Sequence, residues 1–442
     1  MTYLLLIIVI SILLICLYLD ERDFFSPLFL SLTAFDMAFV FAFVGTLSWN
    51  NQFKISSELV LIFIVGILAF TLGSILAKNI YDDKIKKKTM RNKKITVENW
   101  KIVIASTFII ITIVLMILEI KKVCAYFGFH SNNISDLLSY YRSKGVLYSN
   151  EISRNTVDIN FIVKQMHKTC LVIGVLFIYA FCNNNQFKKN NYYYLIPVGF
   201  SMIESLLTSG RSLFMRLILI SFFCYLYFKL KKLKKLDLKT ILYGGGVIIG
   251  VLVLFYVMLP LLGRNTNVGF IKYITFYFSC GIPSFNIFLL DVPEHVGYLG
   301  EETFTGLYLL LNKFNIVDFT RIANYSWVSI GGMNSNIYTS LKAYYFDFGS
   351  LGVMLLQFIF GFVSTFYYNY SKNSKKTILF VIYFYFIYIF IEQIRAEQFF
   401  GLISSTTISN LLIIMVMYYF LYEFNKKSTK VLMKRIKKFM KL

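Results

Sequence analysis

The sequence predicts an all-α polytopic membrane protein of about eleven transmembrane helices, with two long extracytoplasmic segments. Three observations predict it. Of 442 residues, 57% are hydrophobic and only 15% charged, and the mean hydropathy is +0.64, more apolar side chain than a water-soluble core can hide. The apolar residues fall in near-continuous runs such as 4–19, 102–118, 241–262 and 378–391, about the length a helix needs to cross roughly 30 Å of hydrocarbon. The lysines stand in blocks between those runs. Helices are the expected element, because isolated strands in lipid leave backbone groups unpaired.

Five basic blocks order the elements: residues 78–101, Lys188-Lys189, 229–239, 372–376 and 426–441. Placing all five on the inner side gives one consistent topology. Spans are expected over 3–19, 26–48, 57–77, 101–119, 161–182, 193–208, 212–229, 241–262, 350–370, 377–394 and 402–422. The amino terminus is then outside and the carboxyl terminus inside. The first run lacks a basic n-region and an A-x-A-like cleavage site, so it is read as a span rather than a removed signal. Two long external segments remain, 120–160 and 263–348, in a chain read as one membrane domain over 1–442. Residues 135–148 and 269–290 within them are amphipathic, suited to lying at the interface, capping a cavity or, for the second, dipping into the membrane and returning.

The net charge of +22 is explained by the inner blocks as a topology signal, which removes the case for a nucleic-acid partner. The six cysteines (16, 124, 170, 182, 224 and 280) contain no C-x-x-C pair and fall mostly inside apolar runs. They read as small core residues rather than as a disulfide frame or metal site. Asp82-Asp83 lies in the lysine-rich inner loop and reads as solvated.

Ionisable groups inside spans are costly against lipid, so by default they face a bundle interior or a watery cavity. Lys164, His167 and Lys168 share one face near the outer end of the fifth span, with snorkelling as the alternative. Glu204 precedes the turn Thr208-Ser209-Gly210-Arg211-Ser212, where Gly210 permits the tight turn and Arg211 opens a helix. Arg216 lies further into that span and needs an anion or carboxylate; structural ion pairing is the alternative for both arginines. Arg264, Lys342 and Arg395 stand at other outer ends, where positive-inside bias disfavours cations. Arginine binds phosphate bidentately and keeps its proton, so a converging set suits a lipid diphosphate. Asp36 is intramembrane with no cation nearby in sequence and is assigned no role.

Three motifs carry a resemblance: Thr208-Ser209-Gly210-Arg211-Ser212; an N-x-Y-T followed by Y-x-D-F-G-x-x-G over 336–352; and Gly300-Glu301-Glu302-Thr303-Phe304. With the span layout, they resemble the Wzy-type oligosaccharide repeat-unit polymerases of O-antigen and capsule assembly. The resemblance implies a C-type membrane glycosyltransferase in the bacterial cytoplasmic (inner) membrane, independent of nucleotide sugar, metal and cofactor. It implies a growing glycan on undecaprenyl diphosphate as donor and a lipid-linked repeat unit as acceptor, with a chain-length regulator and a flippase as pathway partners. External arginines are implied to bind diphosphate and glycan, a role that passes to Arg211 by motif and to Arg264 and Arg395 by location. Lys168 and Lys342 are further candidates for that surface. Such transfer needs cations for the leaving diphosphate and a base for the hydroxyl proton. Glu301, Glu302 and His295 are the candidate bases, unranked, with Glu204 and Glu392 behind them. Asn336, Tyr338 and Thr339 are candidates to hydrogen-bond sugar hydroxyls, Tyr344 and Tyr345 to stack on a ring, and Asp347 to cap the ninth span.

Two rival readings remain. An O-antigen ligase shares the architecture and passes the glycan to a different acceptor, and only His295 has the place of the loop histidine on which ligases rely. A flippase or transporter for lipid-linked oligosaccharide has more evenly short loops and two similar halves, neither of which is present.

Overall fold

The computed structural model describes residues 10, 23–48, 55–84, 93–145, 159–187, 191–207, 211–233, 238–259, 268–295, 297–319 and 327–424. They are mostly helical, as the apolar runs require. Among the described residues, seven helices are long and apolar enough to cross a membrane: Pro27–Thr46, Ser57–Asp82, Asn99–Tyr126, Phe161–Asn185, Ser212–Lys232, Ser340–Asn373 and Ser405–Glu423. A shorter apolar stretch covers Thr377–Glu392. The expected first span, 3–19, lies outside the described residues except for residue 10. The expected span 193–208 meets a helix of 11 residues, Leu195–Ser205, which at 1.5 Å per residue covers only about 16 Å.

By contacts the chain gathers into two compact units, Met1–Met90 with Leu242–Thr407, and Arg91–Ile241 with Ile408–Leu442. The first unit contains α1 (Pro27–Ser48) and α2 (Ser57–Lys84), and their first turns are capped by the Ser26 and Ser56 hydroxyls, which accept the Phe29 and Leu59 N–H groups. Phe35 and Phe39 of α1 meet Phe63 of α2 edge to face. The helix that pairs most extensively with α2 is the long one over Ser340–Asn373.

Glycine sets that pairing. A Cβ on Gly73 would lie 2.2 Å from the Phe358 carbonyl oxygen, and one on Gly361 would lie 2.2 Å from that of Phe70. The two backbones therefore touch, as small residues allow between helices in lipid. Gly66 faces Leu341 and Val353 while Gly73 faces Phe358 and Phe362, so both helices advance in the same direction. The expected topology also gives these two spans a common direction.

The segment 263–348 is folded rather than loose. The expected amphipathic stretch over 269–290 forms two helices, Phe270–Ser279 and Gly281–Phe288. A Cβ on Gly281 would meet the Ile394 carbonyl oxygen at 2.5 Å, so glycine lets this helix start against the turn at 393–396. A further helix, Thr305–Lys313, precedes an antiparallel hairpin that pairs Val328–Ile330 with Met333–Ser335. Ile330 packs on Phe276 and Cys280, which seats the hairpin on the helix over Phe270–Ser279.

The last long helix of this unit begins at Ser340, ten residues before the expected start of span nine at 350. Its backbone breaks at Gly349, where φ is 64° and ψ is −162°, a conformation glycine adopts without Cβ strain. Residues 340–348 are thus a separate helical piece set onto the span, and they carry the Tyr345, Asp347 and Phe348 positions of the motif.

In the second unit, Asn99–Tyr126, Phe161–Asn185, Leu195–Ser205 and Arg211–Leu233 pack together. Gly174 lets Ser201 approach, since a Cβ there would lie 2.9 Å from the Ser201 Cβ, and the Ser201 hydroxyl donates to the Cys170 carbonyl at 2.8 Å. The amphipathic stretch expected over 135–148 forms the helix Ile134–Gly145, whose Leu137 and Leu138 pack on Met116 and Ile120.

Candidate functional site

The candidates of the large segment converge in the first unit. Lys342, on the helical piece before Gly349, places Nζ 2.6 Å from both carboxylate oxygens of Glu302. Its ammonium lies 4.8 Å from the Phe288 ring centroid, 5.5 Å from Tyr338 and 4.7 Å from Phe346. A cation among three rings with a bidentate carboxylate is held in one place, because each ring's negative face adds to the ion pair. About a turn and a half along, the Asp347 carboxylate accepts the Thr303 N–H at 2.7 Å and lies 3.3 Å from His295 Nε2. Its side chain is fully buried, whereas the imidazole keeps 23% of its surface exposed and stacks on Phe346 at 4.9 Å. Phe346 is therefore in contact with both the Lys342 ammonium and the imidazole.

The G-E-E-T-F residues share this cluster. Gly300 adopts φ +83° beside the Phe348 ring, and Phe304 packs against Phe348 and Phe400. Glu301 closes its own loop, with its carboxylate accepting the Tyr298 N–H at 3.2 Å. Asp347, expected as a cap, spends its carboxylate on Thr303 and His295, partners that lie 44 and 52 residues away in sequence. The strap over 336–339 joins the hairpin to the helix. Asn336 and Tyr338 are half-buried on it, and Thr339 is buried with an Oγ1 that finds no partner among the described residues.

Arg395 stands on the turn after Thr377–Glu392. That turn is fixed by the Ser340 N–H, which donates to the Gln393 carbonyl at 2.8 Å. The Arg395 guanidinium lies 5.9 Å from the Tyr277 ring centroid. Its Nε is buried without a hydrogen bond, and among the described residues no carboxylate pairs with it. A half-buried guanidinium with open donors is a ready anion site.

Glu397, two residues on, was not singled out in the sequence. Its carboxylate accepts the Phe400 and Gly401 N–H groups at 2.6 and 2.8 Å and the Tyr344 hydroxyl at 3.3 Å. Burial outweighs those bonds and pushes its carboxyl up to about 7 from the ordinary 4.5. A carboxyl whose folded value is raised holds its proton more tightly when folded, so its contribution to stability falls as pH rises from about 4.5 to about 7. Glu397→Gln should erase that slope and leave the variant more stable than the parent at pH 8, by up to about 3 kcal/mol, and equal to it at pH 4. Thermal melts at several pH values check this, and parallel melting curves would refute it.

The second unit holds the remaining candidates. His167 Nδ1 lies 2.5 Å from Glu204 Oε1, with the Glu204 side chain 1% exposed. Sequence spacing had placed His167 beside Lys164 and Lys168, and the structure adds the acidic partner from Leu195–Ser205. Lys168 and Arg216 are half-buried. Arg211 opens its helix as expected, but its side chain lies outside the described residues, as does all of Arg264. No group of three metal-binding side chains occurs among the described residues.

No family model, no curated protein and no solved structure matches this chain. The class that fold and composition define is an all-α membrane protein. Anything narrower rests on the motifs and on the cluster just described.

Proposed function

We propose that this chain is a membrane glycosyltransferase of the repeat-unit polymerase kind, which transfers a glycan growing on a polyprenyl diphosphate to the non-reducing end of a new lipid-linked unit. One observation carries the reading. Two of the three motif segments behind the family resemblance, some forty residues apart, bond to each other, Glu302 to Lys342 and Thr303 to Asp347. Motif residues of both segments thus build one site, with aromatic rings for sugar faces and polar groups for hydroxyls. Arg395 of the same unit supplies an open guanidinium for the leaving diphosphate, while Arg211, Arg264 and Lys168 enter on motif and location. The acceptor hydroxyl oxygen bonds to the donor's anomeric carbon, the bond from that carbon to the diphosphate breaks, and the electron pair leaves on phosphate oxygen. A base of the large segment, among Glu301, Glu302 and His295, takes the hydroxyl proton. The expected topology of about eleven spans, with the amino terminus outside and the carboxyl terminus cytoplasmic in a bacterial inner membrane, supports the reading, because it would put the large segment on the side where such units are displayed.

Purified protein in liposomes with lipid-linked repeat units is expected to give a ladder of chain lengths. Arg395→Ala should slow the ladder about 100-fold or more, the usual cost of one donor to developing charge. Movement of the unit across the bilayer without a ladder would replace this reading with a flippase, and transfer only to a different acceptor would replace it with a ligase.

A further inference from the structure

We propose that Asp347 is the positioning residue of a catalytic base at His295, and that it acts by fixing which imidazole nitrogen carries the proton. The proposal rests on the transferase reading and selects one of its three candidate bases. Of the others, Glu302 has both oxygens on Lys342, and Glu301 closes the turn at Tyr298.

A carboxylate only accepts hydrogen bonds. With Asp347 Oδ1 at 3.3 Å from His295 Nε2, the proton of a neutral imidazole sits on Nε2. Nδ1 is left with its lone pair, and it makes no hydrogen bond among the described residues. The orientation is doubly fixed. Oδ2 of Asp347 is tied to the Thr303 N–H, so the carboxylate cannot rotate away, and the ring face is held on Phe346. Gly349 ends the helical piece two residues after Asp347, which leaves this side chain turned into the folded segment rather than along the span. A buried carboxylate orienting an imidazole whose other nitrogen is free is the arrangement that readies a histidine to accept a proton. In the transfer, the hydroxyl proton passes to His295 Nδ1, and the resulting imidazolium is stabilised by Asp347 across Nε2.

Asp347→Asn tests the proposal by exchanging a single heavy atom, one carboxylate oxygen for an amide nitrogen. The asparagine carbonyl keeps the Thr303 N–H, while its amide NH2 now donates to Nε2. The imidazole must then carry its proton on Nδ1, where the lone pair was needed. Rate should fall about 100- to 10,000-fold in kcat with KM unchanged and the protein still monodisperse. With three histidines in the chain, 15N-histidine spectra of the reconstituted protein read the tautomer directly and without substrate. The parent is expected in the Nε2–H form at His295 and the asparagine variant in the Nδ1–H form. His295→Ala should be inactive and partly rescued by free imidazole, which a merely structural histidine would not be. An active parent whose Asp347→Asn variant keeps its kcat, or a parent spectrum in the Nδ1–H form, overturns the proposal and leaves the transferase reading intact. A parent that makes no ladder in the polymerase assay overturns the transferase reading first and this proposal with it.

Discussion

Replacing Gly73 or Gly361 with alanine is expected to be the most damaging conservative change in the first unit. Each added methyl carbon would stand 2.2 Å from a backbone carbonyl oxygen of the facing helix, about 1 Å inside any tolerable contact. The atom struck is backbone, so no rotamer change relieves it, and the two spans must separate along their length. Overpacking costs typically 1–3 kcal/mol where side chains can adjust, and here they cannot, so a loss of about 3 kcal/mol or more is expected. The Ser74 hydroxyl bond to the Gly361 carbonyl, 3.3 Å in the parent, would be lost with the separation. Gly199→Ala is the control, because a Cβ there meets nothing within 4 Å and alanine favours the helix. Melting temperature and monodisperse yield in detergent measure the effect. Equal melting of the Gly73→Ala and Gly199→Ala proteins would show that the close approach of the spans is not what holds them.

The second large effect is expected at Glu204. Its side chain is almost wholly buried in a bundle of apolar helices, and its partner is the His167 imidazole at 2.5 Å. Glu204→Ala removes the acceptor and leaves a polar ring facing a cavity, a type of change that costs about 3–5 kcal/mol. Glu204→Leu combined with His167→Leu should recover most of that loss, since two apolar side chains of similar volume need no partner there. The pair's interaction energy then follows from the double-mutant cycle, in which a value near zero would mean that the two side chains do not support one another. Glu204→Gln, which keeps an acceptor oxygen for Nδ1–H, should fall between parent and alanine.

Both predictions depend on contacts between residues far apart in the chain, and such contacts divide what was legible from what was not. The apolar runs fixed the helices: 26–48, 57–77, 101–119, 161–182 and 212–229 all recur within long helices of the structure, because in lipid a run of that length has no other way to pair its backbone. The amphipathic stretches over 135–148 and 269–290 also recur as helices. Two boundaries were misplaced. A helix of only 11 residues, Leu195–Ser205, follows the 3-10 turn at Tyr192–Tyr194 where a full span was expected. Gly349 joins a helical piece to span nine that hydropathy assigned to the loop.

For the site, the sequence by itself singled out Glu301, Glu302, His295, Lys342, Tyr338 and Thr339 as candidates, and they lie in one folded segment of the first unit, which also holds Arg395. Only the tertiary structure decided which of them touch. Glu302 is bound to Lys342, and His295 meets an Asp347 that spacing read as a cap. His167 meets Glu204 in the same way. The physical reason is that hydropathy and periodicity report how each residue relates to lipid and to its neighbours within a turn. A hydrogen bond across 37 to 52 residues is set instead by how helices and loops close on one another, and two such partners leave no periodic mark in the chain.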